Sequence, residues 1–104
     1  MKSASRIRMD FRKTVRLAER LEDIGKDLKN MGGEEGAEAF KTELFWEGEA
    51  ASAWNRAGTD TLRQVLETGN KLTGTASALH AAAQRIYEAE MRAYRLAKER
   101  TYEI

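Results

Sequence analysis

From Val65 onward, apolar residues return at every seventh position: Val65, Leu72, Leu79, Ile86 and Ala93. Seven residues are close to two turns of α-helix, so these five share one stripe. A second stripe lies upstream, where Leu17, Leu21, Ile24, Leu28 and Met31 step by four and by three. Between them, near the middle of the chain, stands Phe45-Trp46-Glu47-Gly48-Glu49. Gly48 suits the backbone of a sharp reversal, and Trp46 is a large apolar anchor beside it. Two apolar stripes joined by one turn specify an all-α helical hairpin. The absence of proline from all 104 residues leaves both helices free to run long.

The spacing predicts a single domain over residues 1–104, with its first helix over 6–30. Ser5 or Asp10 is a candidate cap for its start. Asn30-Met31-Gly32-Gly33-Glu34-Glu35-Gly36 then interrupts the pattern. Each glycine disfavours helix by about 1 kcal/mol relative to alanine, so a break is expected over 31–36. Phase supports the break: the nine residues from Met31 to Phe40 make about two and a half turns, which would put Phe40 on the wrong face of an uninterrupted helix. A short helix over 37–45 would pair Phe40 with Leu44, the Trp46 to Gly48 turn follows, and one helix runs over 49–99. Beside its main stripe that helix has a companion line at Trp54, Thr61-Leu62, Thr68-Gly69, Thr75-Ala76, Ala82-Ala83 and Ala89. Small residues dominate that line, so a neighbouring helix can approach closely. The expected hairpin and dimer core is Leu17, Leu21, Ile24, Leu28, Phe40, Leu44, Trp54, Leu62, Val65, Leu72, Leu79 and Ile86.

A hairpin of this size buries too little surface to stand comfortably alone, so the apolar seam is expected to continue into a partner. The simplest partner is another copy. The end carrying both termini is basic, with Lys2, Arg6, Arg8, Arg12, Lys13, Arg16 and Arg20 joined by Arg92, Arg95, Lys98 and Arg100. The turn end is acidic, with Glu34, Glu35, Glu38, Glu43, Glu47 and Glu49 against Lys41. Antiparallel pairing would set each acidic tip beside a basic end, giving an antiparallel four-helix bundle.

Little in the chain points to catalysis, and the reading is of a protein that is not an enzyme and takes no cofactor or metal. There is no cysteine, and His80 is the only histidine, with no carboxylate three or four residues to either side. No nucleophile-elbow or Ser-His-Asp pattern occurs. The glycines of 32–36 are followed by no lysine-serine/threonine pair, and Glu34 and Glu35 would repel phosphate. The basic first arm reads as a solvated helix face. A nucleic-acid surface would interleave polar or aromatic residues, and the segment offers only Phe11, which the stripe already claims. No apolar run approaches signal-peptide or membrane-span length, so neither a cleaved signal nor stable membrane insertion is expected.

Trp46-Glu47-Gly48, followed by Ala50, Ala51, Ala53 and then Trp54, resembles the Trp-x-Gly, ESAT-like family of small type VII secretion proteins. The likeness covers nearly the whole chain, since the central position of the motif, the length and the flanking heptads fit as well. It implies a helical-hairpin dimer exported folded and without a cleaved signal by a membrane-embedded secretion ATPase. The protein would be cytoplasmic before export and then secreted or at the cell surface. It also implies a homodimer, or a heterodimer with a related hairpin, and for some members the escort of a larger toxin. The family's export signal is a tyrosine with an acidic residue four positions on. Here Tyr87 is followed at that spacing by Met91, and Tyr94 by Lys98; Glu90, three after Tyr87, makes Tyr87 and Glu90 a candidate variant signal. The other function class left open is a cytoplasmic coiled-coil module, or an escort not itself exported.

Overall fold

The computed structural model describes residues 2–33 and 49–103, with the side chains at 49–51, 54–55 and 102–103 outside the description. Two helices, α1 (Ala4–Gly32) and α2 (Glu49–Glu103), pack antiparallel as a hairpin. The expected short helix over 37–45, Phe40, Leu44 and the Trp46 to Gly48 turn all lie outside the described residues, as does the side chain of Trp54.

Ser3 starts α1. Its hydroxyl oxygen accepts the Arg6 backbone N–H at 3.1 Å, and its carbonyl accepts that of Ile7 at 3.0 Å. Ser3 thereby satisfies two of the free donors of the first turn, the role expected of Ser5 or Asp10, both of which lie inside the helix. At the other end α1 continues through Met31 and Gly32. The missing side chain explains how: a Cβ on Gly32 would stand 2.5 Å from the Leu62 carbonyl oxygen and 2.6 Å from the Leu66 nitrogen. Tertiary contact at a position where only hydrogen fits outweighs the weak helix propensity of glycine.

The contacts fall into two units, and each holds its helices together differently. In the unit Leu21–Gly74 the seam is built on glycine. A Cβ on Gly25 would meet Thr73 Cγ2 at 2.7 Å and the Gly69 carbonyl oxygen at 2.9 Å. One on Gly69 would meet the Gly25 carbonyl oxygen at 2.7 Å and the Lys29 nitrogen at 2.9 Å. The two backbones therefore touch, and Leu21, Leu28, Leu62, Val65 and Leu72 flank the contact half-buried.

In the other unit, residues up to Arg20 together with those from Thr75, the buried apolar residues are Ile7, Ala18, Ala76 and Ala83, at 2–5% exposure. Phe11 lies against Tyr87 with ring centroids 4.7 Å apart and the planes tilted by 33°. This aromatic contact resets the α2 pattern. Covered positions run Leu72, Ala76, Leu79, Ala83, and then jump by four to Tyr87 instead of by three to Ile86. They continue through Glu90, Tyr94 and Ala97, so Ile86 is 58% exposed and Ala93 is also exposed. Two successive steps of four are the mark of a stutter in a heptad pattern.

Candidate protein interface

The helix wheel explains why the large residues and the buried residues are different residues. Each residue advances about 100° around α-helix. On α1, with Gly25 and Gly32 against α2, Ile24 and Met31 come one residue earlier and lie about 100° to one side. Leu21 and Leu28 lie about 60° to that same side. On α2, Val65 and Leu72 follow Leu62 and Gly69 by three, which is about 60° in the same rotational sense. Because the helices are antiparallel and face each other, one rotational sense leads to one side of the pair. Leu21, Ile24, Leu28, Met31, Val65 and Leu72 therefore gather on one side of the unit Leu21–Gly74.

The opposite side of that unit carries Glu22, Lys26, Arg63 and Asn70, all exposed, with half-buried Lys29. Lys26 Nζ there sits 3.3 Å from Glu22 Oε1, one turn away. The unit is two-faced, apolar on one side and charged on the other. Exposure marks that apolar side: Ile24 is 50% exposed and Met31 59%, and Leu17, seven residues before Ile24 on α1 and in the other unit, is 52% exposed. Six exposed large apolar side chains face solvent among the described residues, while three of the four buried apolar ones are alanine. Monomeric surfaces carry single apolar residues routinely; a periodic line of them is what makes this side a candidate interface.

Tyr87 and Glu90, read from sequence as a variant export signal, are both engaged within the terminal unit. Tyr87 stacks on Phe11. Glu90 Oε1 accepts from Lys2 Nζ at 3.2 Å, and Lys2 reaches Asp10 Oδ2 at 3.0 Å as well. The hydrogen bond from Lys2 holds the Asp10 carboxyl below its ordinary value, and those to Asp10 and then Glu90 raise the Lys2 ammonium. These groups rim a cleft of about 380 Å³ floored by Ile7, Phe11, Ala83 and Tyr87. In sequence Lys2 is only one member of a basic run. Its role as a clasp between helices had no signal in sequence, because it depends on which residue of α2 lies level with the N-terminus.

His80 is exposed, and no cluster of three or more metal-ligating side chains occurs among the described residues. No described helix is long and apolar enough to cross a membrane. Comparison with known proteins adds no relative: no protein-family model, no curated protein and no solved structure matches the chain.

Proposed function

We propose that this chain is a small non-enzymatic interaction protein whose hairpin dimerises into an antiparallel four-helix bundle and which serves a type VII secretion route as substrate or adaptor. The observation that carries the interaction reading is the uncovered line Leu17, Ile24 and Met31 beside a seam of glycine and alanine. Gly25 and Ala18 meet the other helix while their neighbours Ile24 and Leu17 stay exposed, the arrangement of a half-finished bundle. Trp46-Glu47-Gly48 between two long helices supports the secretion reading. In it, the partners are a second copy or a related hairpin, the secretion ATPase and, in an escort role, a larger toxin. The protein would be cytoplasmic before export and secreted or surface-bound afterwards.

The test is affinity capture of the tagged full chain from its native cell, read together with secretion into the medium. Recovery of a secretion ATPase or a hairpin-bearing toxin, with the chain itself in the medium, supports the proposal. Retention in the cytoplasm with neither partner replaces it with the second reading, a cytoplasmic coiled-coil module. That alternative draws on the same uncovered apolar line and needs no export signal.

A further inference from the structure

The apolar line on α1 is symmetric about one of its own residues. Counting outward from Ile24, Leu17 and Met31 stand seven before and seven after. Leu21 stands three before and Leu28 four after. On the next position around the helix, beside this line and away from α2, Arg20 stands four before and Asp27 three after. Arg20 and Asp27 are both exposed, and neither has an ion-pair partner among the described residues. A helix whose apolar pattern reads alike in both directions, and whose flanking charges change sign across the centre, is complementary to its own antiparallel copy.

Resting on the dimer reading above, we infer that the seat on α1 is filled by α1 of a second copy of this chain, running antiparallel about a two-fold axis at Ile24. Ile24 then meets Ile24 of the other copy, Leu17 meets Met31, and Leu21 meets Leu28. Arg20 of each copy stands beside Asp27 of the other, so two ion pairs flank the central contact. The opposite seating, with hairpins parallel, would lay α1 of one copy over α2 of the other. The Arg20 and Asp27 pairs form only in the antiparallel seating, and the apolar line supplies the contact area.

The chain has no cysteine, so single cysteines report the geometry cleanly. A cysteine at a two-fold axis faces its own copy, within the 4.4–6.8 Å Cα separation a disulfide needs, in helices packed about 8–10 Å apart. The full-length Ile24→Cys chain is expected to convert to a covalent dimer on mild oxidation. Leu17→Cys, displaced from its own copy by fourteen residues of rise, about 21 Å, stays uncrosslinked. Charge exchange gives an independent readout that leaves the apolar line intact. Arg20→Asp alone and Asp27→Arg alone should each weaken the dimer about tenfold or more, and the two together in one chain should restore it. Sedimentation of the unaltered chain separates the two levels of failure. A monomer overturns both the dimer reading and this inference. A dimer in which Ile24→Cys does not crosslink, or in which the charge exchange fails to restore association, overturns the inference alone.

Discussion

Glycine in this chain does opposite work at neighbouring positions, and substitution should show it. Gly74 has nothing within 4 Å of where a Cβ would stand, so Gly74→Ala adds helix propensity without a clash. It is expected to stabilise by about 0.4–1 kcal/mol. Gly25→Ala and Gly69→Ala each force a methyl into a facing backbone and should destabilise by roughly 1–3 kcal/mol. Denaturant unfolding of the three variants checks the contrast. Helix propensity rates all glycines alike, because propensity is a property of one residue and the close approach is a property of two helices. The pair Lys2 and Asp10 carries a prediction in pH. Asp10, depressed below its ordinary 3.8, contributes stability that is present above that value and is lost as pH falls through the lower folded one. Lys2, raised above 10.5, contributes below that value and loses it only as pH climbs through the higher folded one. Hydrogen-exchange protection of the first turn of α1 should hold steady from about pH 5 to 9 and fall below about pH 4. Asp10→Asn should abolish that acid dependence.

At the scale of the element, periodicity makes both helices legible. The four-and-three pattern correctly identifies α1 and α2 as helices and as partners. It does not say which of two adjacent lines meets the other helix. Large residues such as Ile24 and Ile86 invite the core assignment because burying them gains most, yet Gly25 and Ala83 take the seam because they let the backbones close. The companion line of small residues held that information: Gly69, Ala76 and Ala83 are buried. Past Ala83 the step of four is set by the Phe11 and Tyr87 rings, a contact between residues seventy-six apart that no local pattern announces. It predicts that Tyr87→Ala lowers unfolding stability by about 1–3 kcal/mol, while Ile86→Ala, at an exposed site, changes it by about 0.5 kcal/mol or less. Equal losses would mean that the heptad runs on unshifted through Ile86.

For the whole molecule the balance of small and large residues decides the outcome. A core of one isoleucine and three alanines among the described residues yields little apolar burial. Stability should therefore depend on protein concentration, as it does wherever association completes the fold. The melting temperature is expected to rise with concentration across the micromolar range, and the chain to sediment at twice its 11.8 kDa. Replacing Ile24 and Met31 together by glutamate should return it to single mass and remove the concentration dependence. A melting temperature independent of concentration in the unaltered chain would show that the hairpin stands alone.

The glycine and alanine seam has one more consequence, for how such a chain changes over time. A seam without long side chains has almost no rotamers to rearrange, so the spacing of the two helices is set by backbone against backbone. The residues that could choose a partner lie elsewhere, on the outward line. In the proposed dimer, folding and recognition are written on separate letters of the same heptad. There, substitutions at Leu17, Ile24 or Met31 would retune which hairpin is accepted, while Gly25, Gly69 and Ala83 keep the scaffold as it is.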